Sequence, residues 1–192
     1  MAAVSAPMGE GRFAAGLARL RARPAEALAR RRVTLGFLAA ALSLALAQPT
    51  WRTWGAGFLL ALAGECIRLW AAGHLEKGRE VTRSGPYRFV RHPLYVGSIV
   101  IAGGVALAAQ SLPVAIAIAV YMGLTIAAAV RTEEARLRAA FGQAYDDYRA
   151  SRAAPMARRF SLARALRNRE HRAIAGLLGG FALLALKAAA GS

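Results

Sequence analysis

From Leu94 to Val130 the chain runs for 37 residues without one charged side chain. A water-soluble domain has no place for such a stretch. A bilayer accommodates it as two spans, because each helix needs about 20 apolar residues to cross the hydrocarbon core. The run divides into Leu94 to Leu112 and Pro113 to Val130. Three further blocks have the same character. Val33 to Ala47 is short, with Trp51 and Trp54 behind it as interface anchors; Trp54 to Ala72 is interrupted by Glu65 and Arg68; Ala173 to Ala190 carries Lys187 near its far end, where a long side chain can snorkel. No alternating stretch competes with these blocks as a strand. The expected fold is all-α: a polytopic membrane protein of about five transmembrane helices, with a basic tail over residues 1–32 and one membrane domain over 33–190.

The charges fix the expected orientation. The chain is 57% hydrophobic yet carries +16. Seven arginines precede the first block, five Lys/Arg lie between the second and third, and eleven lie between the fourth and fifth. Thus 23 of the 26 basic residues fall on one side, which the positive-inside rule places in the cytoplasm, N-in and C-out. The basic excess is a topology signal and a match to anionic headgroups, so no nucleic-acid partner is expected. The sequence up to Ala47 also has the basic, apolar and A-x-A regions of a signal peptide. The long residue run before it and the tryptophans after it favour a retained span. Phe13, Leu17, Leu20 and Leu28 form a weak apolar stripe in the tail. Cys66 is the single cysteine and lies inside a span, so neither a disulfide nor a thiolate metal site is available, and no metal is expected.

Two cytoplasmic segments carry the chemistry. In "SGPYRFVRHPLYVG", residues 84–97, Gly85-Pro86 is turn chemistry. Pro93 falls in the first turn of the third span, where its missing N–H costs nothing, and His92 before it is pushed to an extended conformation. The helix N-terminus, flanked by Arg88, Arg91 and His92, suits a carboxylate or phosphate. In "RTEEARLRAAFGQAYDDYRA", residues 131–150, Leu137, Phe141, Tyr145 and Tyr148 share one helical face, and Gly142 is a place for a break or bend. A Glu134–Arg138 pairing at i,i+4 accounts for Glu134 and leaves Glu133 at the membrane exit without a reason. A ligand matching both segments would combine an anionic end, a flat ring and a positive centre, as S-adenosylmethionine does.

Gly85-Pro86-Tyr87, then Arg91-His92-Pro93-Leu94-Tyr95-x-Gly97, then Glu133-Glu134 with Phe141-Gly142 and Tyr145-x-x-Tyr148, resemble the isoprenylcysteine carboxyl methyltransferases and the wider phospholipid-methyltransferase-like membrane enzymes. The resemblance covers about residues 64–150. It implies a membrane methyltransferase using S-adenosylmethionine at its cytosolic face, with Tyr87, His92, Pro93, Leu94, Tyr95 and Glu133 as cofactor contacts. It places Glu134 beside the cofactor and Arg131 at the acceptor, the two residues assigned here to catalysis. The expected acceptor is a lipophilic small molecule, lipid or lipidated group, with carboxylate O-methylation ahead of amine or thiol methylation. The Ala/Arg/Gly-rich composition points to a bacterial inner membrane. Two other classes remain open: a nicotinamide-dependent sterol-reductase-like enzyme, against which chain length argues, and a basic membrane scaffold without activity. Glu65 and Arg68, three apart, read best as an ion pair within a span, His74 and His171 as interfacial, and Gly176-x-x-x-Gly180 as a helix-packing signal that allows a dimer.

Overall fold

The computed structural model describes Leu38 and residues 40–191. The tail over residues 1–32 and the start of the first apolar block lie outside the described residues. Among the described residues every regular element is helical. Residues 40–46 are helical, and six named α-helices follow: α1 (Trp51–Ala72), α2 (Pro93–Ala109), α3 (Leu112–Phe141), α4 (Gln143–Arg149), α5 (Leu162–Arg167) and α6 (Glu170–Ala190), with a 3-10 turn at Gly85–Arg88 between α1 and α2. By length and composition α1, α3 and α6 can each cross a membrane. At 17 residues α2 is apolar but shorter.

Local signals start and stop these helices. Thr50 and Thr53 form a reciprocal capping box at the head of α1. Pro93 opens α2, and Gln110 closes it in the left-handed region. At 30 residues α3 is about 45 Å long, more than the roughly 30 Å of a bilayer's hydrocarbon core. Its last turns, from Arg131, carry all of its charged residues. The break expected at Gly142 is there: φ is +48°, a conformation open to glycine, and α4 sets off in a new direction.

Packing is tightest between α1 and α2. Gly57, Ala61 and Gly64 of α1 face Gly97, Gly104 and Ala108 of α2, and a Cβ at Gly64 would lie 2.7 Å from the Gly97 carbonyl oxygen and 2.8 Å from the Ile101 nitrogen. Backbone lies on backbone here, as small residues permit within a membrane. On its other side α1 meets α6 through aromatic rings. Trp54 stacks on Phe58, Phe58 meets Phe181 edge-on at 5.2 Å, and the Trp54 indole N–H donates to the Phe181 carbonyl at 2.8 Å. Trp54 thus packs inside the bundle, and of the two expected interface anchors only Trp51 stays exposed. Lys187 does not snorkel either. Its ammonium donates to the carbonyls of Leu44 and Ala45, at 2.6 and 2.7 Å, where the first helical stretch ends and exposes acceptors.

Candidate active site at the head of α2

The C-terminal end of α1, the N-terminal ends of α2 and α6, and the emerging end of α3 share polar contacts. The turn at Gly85–Arg88 buries Pro86 and Tyr87. His92 then serves as the N-cap of α2 without any side-chain cap on the first turn, leaving that turn's donors free of a side-chain acceptor. Pro93 is fully buried behind it.

The end of α3 closes over this helix head. Tyr95 donates to Glu133 at 2.9 Å. The His92 ring brackets the acidic pair, with Nε2 3.4 Å from Glu134 and Nδ1 3.9 Å from Glu133. Arg91 reaches Glu134 at 3.5 Å. Glu134 therefore pairs across to the α2 head. The intrahelical pairing with Arg138 is not formed, because Arg138 turns to Asp146 at 3.0 Å. The extension α4 completes the roof: the Tyr148 hydroxyl donates to the Tyr87 carbonyl at 2.8 Å, and Tyr145 is fully buried beside it.

Electrostatics follow this geometry. Burial works to raise the Glu134 pKa, but the His92 hydrogen bond and the charges of Arg91 and Arg149 outweigh it and hold the carboxyl below its ordinary value. Burial, reinforced by Tyr145, pushes Tyr148 up to about 12. Tyr87 is raised by burial first, then by Glu133 and Tyr148. The Tyr145 phenol is raised by burial first and then by the neighbouring Glu134 carboxylate. These phenols stay neutral donors at physiological pH.

A family model for phospholipid methyltransferases matches residues 56–144. Over this stretch the chain is similar to phospholipid methyltransferases. No curated protein and no solved structure matches the chain. The family's match begins within α1 and ends within α4, so it spans both polar segments, from Tyr87 to Glu134. It stops just before Tyr145 and Tyr148, which complete the roof.

Of the residues singled out from sequence, the fold brings Tyr87, His92, Pro93, Tyr95, Glu133 and Glu134 around the head of α2. Leu94 contributes its carbonyl, which accepts from Ser98 and from Arg68. Arg131 is set apart. It stands exposed on α3 and makes no ion pair with a described residue. The intramembrane pair also differs from expectation: Arg68 turns to Glu170 at 2.7 Å and to Ser98, while Glu65 lies 3.7 Å away as a secondary partner. His74 proves buried, hydrogen-bonded to Ser84 at 3.1 Å beneath Gly85.

The C-terminal segment holds a part of the site that motif reading missed. Arg158 grips Glu80 through two hydrogen bonds, at 2.6 and 2.8 Å. Arg164 pairs with Glu76 at 2.8 Å and also donates to the Gly73 carbonyl. Asn168 caps α1 by donating to the carbonyls of Ala72 and Leu75, both at 2.9 Å. These contacts clamp the loop that ends in the Gly85–Arg88 turn. A readable hint existed in the lone pair of loop glutamates, Glu76 and Glu80, set opposite an arginine-rich tail.

Proposed function

We propose that the chain is an S-adenosylmethionine-dependent methyltransferase of the membrane, acting on a lipophilic acceptor, with O-methylation of a carboxylate favoured. The observation that carries this reading is the junction of the two polar segments, Tyr95 on Glu133 and His92 on Glu134, inside a domain of a methyltransferase family. The residues fit the cofactor's chemistry. A helix N-terminus without a side-chain cap, next to Arg91, suits its carboxylate. Glu133 and Glu134 suit its positive sulfur. Tyr87, His92, Pro93, Leu94, Tyr95 and Glu133 would hold the cofactor, which supplies an electrophilic methyl group.

The chain's own task is then to orient the acceptor and exclude water. Positioning of this kind is worth roughly 7–11 kcal/mol. Glu134, held below its ordinary pKa, is charged at neutral pH and is a weak base, better at holding positive charge than at taking a proton. That favours an acceptor needing no deprotonation, such as a carboxylate, and Arg131, exposed on α3, would be the charge to meet it. The family's description favours a second reading, a phospholipid amine as acceptor, in which His92 would take the proton. Five spans, N-in and C-out, with the site on the cytoplasmic face of a bacterial inner membrane, complete the reading; the one-sided placement of 23 of 26 basic residues supports it.

Calorimetry with S-adenosylmethionine on protein in detergent and in lipid nanodiscs tests the proposal. Binding by wild type, weakened at least about tenfold by His92→Ala and by Glu133→Gln, is expected, corresponding to about 1.4 kcal/mol or more. Absence of binding by folded wild type in both media would sink it. Labelled methyl transfer to a fatty acid or to phosphatidylethanolamine then separates the two acceptors.

A further inference from the structure

We propose that Glu65 and Glu170 hold one proton between them, and that this buried proton site leaves Arg68 free to tie α6 to the head of α2. Behind it stands an imbalance of charge. Two carboxyl groups meet a single guanidinium, whose Nε lies 2.7 Å from Glu170 and 3.7 Å from Glu65. The two acidic side chains are only 5% and 6% exposed, so water does little to support a net negative charge there.

Donors decide where the deficit falls. Both oxygens of Glu65 are buried, and no N–H or O–H of a described residue donates to either. The group in hydrogen-bonding reach is the Glu170 carboxyl, itself an acceptor. Two ionised carboxylates cannot bond to each other, whereas an acid and a carboxylate can, through one O–H···O bond. Glu170 is the better place for the charge. Arg68 donates to it directly, and it stands in the first turn of α6, at the positive end of the helix dipole. Glu65 lies inside α1, away from both ends, with Arg68 at the longer distance. The proton therefore belongs on Glu65, which donates to Glu170. The other groups facing the cluster are neutral: the Ser98 hydroxyl and Leu94 carbonyl of α2, and Tyr87, which feels the Glu170 charge from the 3-10 turn. Among the described residues no third metal-ligating side chain joins the pair, so a proton suits it better than a divalent ion.

With Glu65 neutral, Arg68 keeps Glu170 on one side and Ser98 and the Leu94 carbonyl on the other. Those two residues belong to the first turns of α2, beside His92 and Tyr95. An ionised Glu65 would repel Glu170 and compete for the same guanidinium. Infrared spectroscopy of the full-length protein in nanodiscs tests the proton without any cofactor. At pH 6 exposed carboxyls are ionised, and wild type should still show a protonated-acid C=O band that shifts in D2O. The band should fade toward pH 10 and be lost in Glu65→Gln and in Glu170→Gln. No band in wild type, or a band that survives either substitution, would overturn the proposal. A melting temperature raised by sodium over choline, with no acid band, would assign the site to a monovalent cation and overturn the proton. Because an amide imitates a neutral acid, Glu65→Gln should melt as wild type does. Failure of that variant to fold would mark Glu65 as a charged partner of Arg68 and overturn the proposal too. Amide hydrogen exchange reads the coupling. At pH 6 residues 92–98 should exchange equally in wild type and Glu65→Gln, and at alkaline pH at least about tenfold faster in wild type. Equal exchange at both would leave α2 independent of the proton and overturn the tie.

Discussion

Two faces of α2 use small residues to opposite ends. Against α1, Gly97 and Gly104 bring backbone onto backbone, and neither position has room for a methyl group. Against α3, alanines and glycines line a gap, and Gly123 on the far wall faces open space. Glycine within an apolar helix thus carries no fixed meaning. Its neighbour across the interface decides whether it closes a contact or opens a passage. The closed face fixes the head of α2, where the candidate site lies; the open face leaves a gap to α3 lined by apolar side chains.

The sharpest way to break this comparison is to place the same side chain on both faces. Gly64→Val should overlap the Gly97 carbonyl and the Ile101 backbone, which cannot move aside as a flexible side chain can. The cost should exceed about 3 kcal/mol, the top of the usual overpacking range, and appear as loss of the monodisperse peak in size-exclusion chromatography. Gly123→Val should give the wild-type peak and a melting temperature within a few degrees of it. Equal damage from both would mean that the α2–α3 gap is closed in the membrane.

A smaller effect tests whether the closed side depends on the C-terminal clamp. Arg158→Ala removes both hydrogen bonds to Glu80 from a site that is about one-fifth exposed on the arginine side. Charge-assisted bonds of this sort are worth about 1.5–3 kcal/mol when buried, and partial exposure brings the expected loss to roughly 1 kcal/mol. Cofactor affinity should fall several-fold. Tyr148→Phe should act in the same direction by about 1 kcal/mol, since it removes the single bond from the roof to the Tyr87 carbonyl. A clamp variant with unchanged cofactor binding would show the loop to be held by the bundle alone.

Legibility followed the range of the interaction. The expected block Trp54 to Ala72 matches α1, and Ala173 to Ala190 falls within α6, because apolar runs and helix-start signals are local. The continuation of α3 past Val130 was half-visible in the spacing of Leu137 and Phe141. The meeting of residues 84–97 with 131–148 was suggested by complementary charge and made specific only by resemblance. Pairings over long separations left no trace of that kind. Arg68 finds Glu170 across 102 residues, in preference to Glu65 three residues away. Arg158 and Arg164 could not be chosen in advance from eleven basic residues of one loop, because any of them satisfies the topology rule equally well. The α2–α3 groove was equally hidden, since an alanine facing a gap and an alanine facing a helix look alike in sequence.

The smallest expected effect concerns His74, which the clamp covers on the closed side. Burial first, and then the charges of Arg164 and Arg158, hold its pKa below the ordinary 6.5. The unfolded chain thus takes up this proton at about pH 6.5, while the folded chain resists it to lower pH. Between those values the unfolded state binds more protons, so stability falls as pH drops below 6.5 and is level above it. Glu76 and Glu134 have pKa values lowered from 4.5, so their contributions are lost only below that range, and the difference between wild type and His74→Gln from pH 5 to 7.5 reports the histidine. Melting temperature in detergent should decline toward pH 5 more steeply in wild type than in His74→Gln. Because protonation would set a third positive charge beside Arg158 and Arg164, cofactor affinity should weaken over the same interval if the clamp holds the site's loop in place. A decline in stability without any change in affinity would confine His74 to packing.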